Sequence, residues 1–300
     1  MSKNTKIWLI VAACLITTGL ILFTATLMAN NWDFTKLGTS KYETHTYTLD
    51  KAFSKIHIYT DEADIVIARS EGNTCKVVCH ERNNTKHIVG VENDALYIRV
   101  GNDKKWYEYI GINFGTPKIT VLLPQSQYDA LFINSSTSDV SISEEFQFHV
   151  LDISVSTGDV TSFASATDSI KIATSTGDIR LENASAENLN LNVSTGDISL
   201  TDVECVSLNT KGSTGDIYLK NVIATQLFSI ERSTGDVKFD SCDAPEIFVT
   251  TDTGDVTGTL LSEKVFVTKT STGNIKVPQS TSGGKCNITT STGDIKIAIG

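Results

Sequence analysis

Leu151-Asp-Ile-Ser-Val-Ser-Thr-Gly-Asp-Val160 is followed by Ile170-Lys-Ile-Ala-Thr-Ser-Thr-Gly-Asp-Ile179 and then by Leu189-Asn-Leu-Asn-Val-Ser-Thr-Gly-Asp-Ile198. The motif recurs along the second half of the chain, centred on Ser138, Gly158, Gly177, Gly196, Gly215, Gly235, Gly254, Gly273 and Gly293, always 19 or 20 residues apart. Self-similarity at a fixed period of this size is the mark of a stacked repeat architecture.

The columns around the motif show which side chains turn inward. Seven residues before the centre stand Leu131, Leu151, Ile170, Leu189, Leu208, Phe228, Ile247, Phe266 and Cys286. Five before stand mostly aliphatics, from Ile133 to Ile288, and two after stand only Val or Ile, from Val140 to Ile295. Polar residues fill the gaps, which is the period-2 pattern of a strand with one buried face. The parity breaks at Thr-Gly-Asp, so the chain must bend there. Glycine supplies a positive φ or a close backbone approach, and aspartate can accept from backbone N–H groups just beyond it. Each coil therefore reads as strand, bend, second strand and a variable return loop. One coil cannot bury its own apolar face, so coils must stack.

The pattern reaches upstream in degenerate form. Ile56, Ile58 and Thr60, followed by Asp64, Ile65 and Ile67, fit the same columns with Ala63 at the glycine position. Strand-like runs follow at 76–80, 95–100 and 118–123. Between the last two lies Trp106, Tyr107, Tyr109 and Phe114, a break in the pattern that suits either a cap on the rod or a partner patch.

Residues 7–29 contain no charged side chain. Such a stretch suffices to span a bilayer, which needs ~20 helical residues, and it exceeds the apolar core of a cleavable signal. Lys3 and Lys6 precede it and no cation follows until Lys36, so the positive-inside rule places the N-terminus in the cytoplasm and the rest outside. The expected layout is a cytoplasmic segment 1–6, a transmembrane anchor 7–29, a stalk 30–43, irregular coils and a cap at 44–130, and regular repeats at 131–300.

The formal net charge is −10, and a chain without a basic stripe is a poor ligand for nucleic acid. Cys75 and Cys79 share one strand face with Val77; small core residues and a thiol metal site with His80 are the two readings of them. The row Asp139, Asp159, Asp178, Asp197, Asp216, Asp236, Asp255 and Asp294 repeats a carboxylate at each coil, with Asn274 in line. Neighbouring charges repel, so backbone N–H caps or a cation ladder must offset them. The neutral Asn274 and the absence of the Gly-Gly-x-Gly-x-Asp calcium repeat favour caps. Neither a catalytic constellation nor a cofactor is expected, since no H-E-x-x-H, G-x-S-x-G or P-loop occurs.

The repeated S-T-G-D-[IV]-x-[LVI], with Pro117-Lys-Ile-Thr-Val-Leu-Leu-Pro124 ahead of it, resembles the bacterial adhesin-like (toastrack) β-strand-repeat family of unknown function over residues 44–300. The resemblance implies an all-β, single-stranded β-helix-like solenoid on an exported or membrane-anchored protein, and brings no catalytic residues. The function expected is a non-enzymatic surface adhesin or interaction scaffold with an extracellular protein or glycan ligand. An envelope-stress sensor or accessory subunit acting through the helix, and a polysaccharide-acting enzyme, are the alternatives.

Overall fold

The columns read from the sequence are the rungs of a parallel stack. The computed structural model describes residues 2–33, 41–101, 115–125, 127–143 and 146–300. In it Leu131 pairs with Leu151, Leu151 with Ile170, Ile170 with Leu189, Leu189 with Leu208 and Leu208 with Phe228. The two inward columns after the bend pair in the same way, as Val140–Val160–Ile179–Ile198–Ile217 and Ile142–Ser162–Leu181–Leu200–Leu219. Their apolar side chains merge into one continuous core, as the sharing of a core between coils requires. The chain is an all-β solenoid with one N-terminal apolar helix.

In four successive coils the return side is a second, regular corner; elsewhere the return varies from coil to coil. Asn183, Asp202, Asn221 and Ser241 stand six residues after their glycines with φ of 52–58°. Asn and Asp tolerate this left-handed conformation best among residues that carry a Cβ. Beyond the corner comes a further set of inward residues, Ala184 and Ala186, Val203 and Cys205, Val222 and Ala224, Cys242 and Ala244, all buried. With this corner so compact, Ile198–Thr214 and Ile217–Thr234 run through it as single strands.

Chain order and stacking order part company at both ends. Strand Glu246–Thr253 pairs with Gly284–Thr292, and that strand pairs in turn with Lys264–Thr272. The last coil is therefore inserted between its two predecessors. At the other end, Lys55–Thr60 lies between Ala95–Val100 and Gln127–Thr137. The degenerate coil is thus internal to the stack. Outside it, Cys75–Arg82 runs antiparallel to both Lys118–Leu123 and Tyr42–Leu49, and His87–Glu92 antiparallel to Ala95–Val100. These antiparallel strands cover that end of the rod. The expected patch Trp106, Tyr107, Tyr109 and Phe114 lies outside the described residues.

The helix spans Lys3–Ala29, with a mean hydropathy of 2.4 over its most apolar window, and is long and apolar enough to cross a membrane. Three of its threonines are satisfied within the helix: Thr17, Thr24 and Thr26 donate to the carbonyls of Ala13, Leu20 and Leu22. A hydroxyl surrounded by lipid needs such a partner.

Candidate functional site

At the bend, the glycine column is a packing requirement between coils. Gly177 and Gly196 have φ of +134° and +141°. A Cβ on Gly196 would fall on the carbonyl of Gly177, and one on Gly177 on that of Gly158. The same holds for Gly158, Gly215, Gly235, Gly254, Gly273 and Gly293, each of which lies against the backbone of a neighbouring coil.

The aspartates form a ladder that runs between coils. Each Asp offers Oδ1 to the backbone N–H of the corresponding residue in the next coil of the stack, at 2.7–3.1 Å. Asp64 starts the ladder, which then runs through Asp139, Asp159, Asp178, Asp197, Asp216, Asp236, Asp255 and Asp294. Asn274 ends it, because its coil is the last in the stack although not in the chain. A carboxylate there would have no following N–H among the described residues; the amide avoids that charge and donates from Nδ2 to Asp294 Oδ1 at 3.2 Å. Lys296 reaches Asp294 Oδ2 at 2.7 Å, and this bond, with the Asn274 N–H, holds the Asp294 carboxyl below its ordinary value.

Beside the ladder lies a groove of about 680 Å3 that crosses successive coils just before the bend. Its walls are repeat positions two and four residues before the centres: Ser156, Ser175, Ser194, Ser213 and Ser233 on one side, Ser154, Asn192, Lys211, Glu231 and Thr250 on the other. Hydroxyls and amides dominate. Four charged residues also line it, two of each sign: Lys211 Nζ and Glu231 Oε2 pair 3.1 Å apart, Asp252 continues the serine row, and Arg232 lies in the floor. The floor is the inward column three residues before the centre. In the groove this column is Val155, Thr174, Val193, Gly212 and Arg232; Thr174 donates to the Gly158 carbonyl, as Thr251 and Thr290, beyond the groove, do to those of Gly235 and Gly254.

Arg232 breaks this column. It is buried, and its guanidinium reaches back two coils to the Val193 carbonyl (2.9 Å) and the Gly196 carbonyl (3.3 Å). The space it needs exists because position 212 is glycine; a Cβ there would collide with Arg232 Nη1. Its Nε has no hydrogen-bond partner among the described residues. The sequence signal was present: Gly212 and Arg232 occupy the same column one coil apart.

The histidines are held by local structure. His57 stacks between Tyr97 and Phe132, at centroid distances of 5.0 and 4.9 Å. His149 pairs with Thr167. His80 is exposed, bonded to Thr44 and stacked on Tyr42, on the face opposite Cys75 and Cys79. Of the two readings of Cys75 and Cys79, the thiol site with His80 does not form, because adjacent residues of a strand point to opposite sides, and both thiols lie in the core with Val77. His87 instead approaches Cys79, together with Glu81. Cys75, Cys79, Cys205, Cys242 and Cys286 are all buried free thiols; burial pushes Cys242 up to about 11 and the other four up to about 12.

A family model described as Toastrack DUF4097 matches residues 53–298. No curated protein matches the chain in sequence. Among solved structures, the chain is similar to a "putative adhesin" from Bacteroides fragilis, at 17% identity and a TM-score of 0.46, covering 86% of this chain and 97% of that one. It is also similar to a "putative lipid binding protein" from Parabacteroides distasonis, at 16% identity and a TM-score of 0.47, covering 87% and 98%.

Proposed function

Because this chain belongs to the Toastrack DUF4097 family, whose function is unknown, we propose a role from its own geometry: a membrane-anchored, non-enzymatic surface protein whose solenoid holds an extended, hydroxyl-rich ligand. The groove of about 680 Å3 beside the aspartate ladder carries this reading. Clefts are where ligands bind, and the lining here suits an uncharged glycan better than a peptide. Serine, threonine and asparagine side chains recur at the ~4.8 Å strand spacing, close to the length of one sugar ring. A net charge of −10 repels polyanions. The ladder carboxylates are taken up by backbone N–H groups, which leaves them a structural role. Helix Lys3–Ala29 serves as the anchor, with Lys3 and Lys6 on the cytoplasmic side and the rod outside.

The test is capture of neutral polysaccharides by the full chain reconstituted in liposomes. Ser194→Trp fills the middle of the groove from an exposed position, and binding should fall at least ~10-fold, the loss that goes with ~1.4 kcal/mol. Equal capture by wild type and Ser194→Trp removes the groove from the proposal. Replacing residues 7–29 by an unrelated span should leave capture intact. If capture survives but cellular function does not, the helix acts on a membrane partner and the sensor reading gains.

A further inference from the structure

A set of buried donors near the capped end of the rod plays no part in the groove. Cys79 and Glu81 alternate on the inward face of strand Cys75–Arg82, and His87 opens strand His87–Glu92. Their donor atoms all lie within 4.8 Å of one another. Cys79 is 0% exposed, Glu81 1% and His87 4%. Glu81 Oε2 accepts from both the backbone N–H and Nδ1 of His87, each at 2.7 Å. Glu81 Oε1, equally buried, has no hydrogen-bond partner among the described residues. Buried carboxylates are normally paired through both oxygens or bound to a metal.

We infer that Cys79, Glu81 and His87 form a zinc site that ties two strands of the antiparallel cap together. One thiolate, one imidazole and one carboxylate form a donor set for zinc, whereas calcium and magnesium require oxygen. Zinc bonds of ~2.0–2.3 Å place tetrahedral ligands under ~4 Å apart, so small side-chain shifts from the present spacing close the site. The protons balance. The Cys79 thiol loses its proton to water. The Nδ1 proton of His87 passes to Nε2, which faces Thr60 Oγ1 at 3.0 Å and donates to it. Nδ1 is thereby freed for the metal, and the Glu81 carboxylate turns its unpartnered oxygen toward it. Three protein ligands leave the fourth tetrahedral position to a water. Zinc would bridge strands Cys75–Arg82 and His87–Glu92 across the turn between them.

The experiment uses the full chain in detergent micelles, stripped with chelator and titrated with cobalt and then zinc. One cobalt per chain should bind, with a thiolate-to-cobalt charge-transfer band that zinc abolishes, and zinc should raise the unfolding temperature. Cys79→Ser should remove the band and weaken zinc binding by more than ~100-fold, beyond the loss that follows removal of an outer-sphere partner. Cys75→Ser, on the same strand face, should keep both. No band in wild type, or a band that survives Cys79→Ser, overturns the site. Should Cys79→Ser fail to fold, X-ray absorption at the zinc edge of the wild-type protein decides. One sulfur with nitrogen and oxygen neighbours upholds the assignment, and a shell without sulfur ends it.

Discussion

At the scale of single residues, the repeat motif is legible only in part. Alternation in the sequence identifies a bend at Thr-Gly-Asp. It does not show that Gly196 is glycine because the Gly177 carbonyl occupies the place of its Cβ. That contact joins residues a full coil apart, and no local rule carries it. Gly196→Ala should therefore cost about 2–6 kcal/mol, the sum of backbone strain at a positive φ and overpacking against the neighbouring coil. Thermal unfolding reads this, and a change under ~0.5 kcal/mol, within the usual scatter of surface substitutions, contradicts the packing role. Asp294 tests the ladder by pH. Its folded-state value is depressed by Lys296 and the Asn274 N–H, so its ionised form stabilises the fold above the ordinary aspartate value of ~3.9. That contribution disappears as pH falls through the depressed value. Lys296→Met should move the Asp294 titration, followed by carboxyl NMR shifts, back up toward the ordinary value. An unmoved titration means the ion pair does not form in solution.

At the scale of elements, the sequence states each coil's faces but not its neighbours. The inward columns were readable because burial imposes period 2 on every strand. The order of stacking was not, because coils 246–260, 264–276 and 284–299 present nearly interchangeable faces to one another. The sign of the true order is Asn274: the one neutral member of the aspartate row stands where the stack ends, not where the chain ends. The corner at Asn183, Asp202, Asn221 and Ser241 was missed because its residues vary, although all are small and polar. The insertion predicts the effect of truncation. A chain ending at residue 283 loses Gly284–Thr292, the partner of both Glu246–Thr253 and Lys264–Thr272. Amide exchange should then show loss of protection throughout 264–276 and weakened protection in 246–253. If 264–276 keeps its protection, the last three coils stack in chain order.

At the scale of the whole molecule, the rod has two unlike ends. One is covered by the antiparallel strands Tyr42–Leu49, Cys75–Arg82 and His87–Glu92. At the other, Gly284–Thr292 is the only strand that Lys264–Thr272 pairs with among the described residues, and Ile275, in the inward column two after the centre, is 45% exposed. The residues of its column one and two coils further in, Ile295 and Val256, are fully buried, so the terminal coil is less covered than its neighbours. In a solenoid each repeat is held only by those next to it, and opening can spread from the weaker end. The buried cysteines are spaced along the rod as reporters of that spread. Their thiols, pushed up to about 11 or 12, are almost wholly protonated at neutral pH and react slowly until their coil opens. In single-cysteine variants labelled with maleimide in rising urea with chelator present, Cys286 should react first, then Cys242, then Cys205, and Cys75 last. Simultaneous labelling of all four would mean that the rod unfolds as one cooperative unit, with the shared core outweighing the difference between its ends.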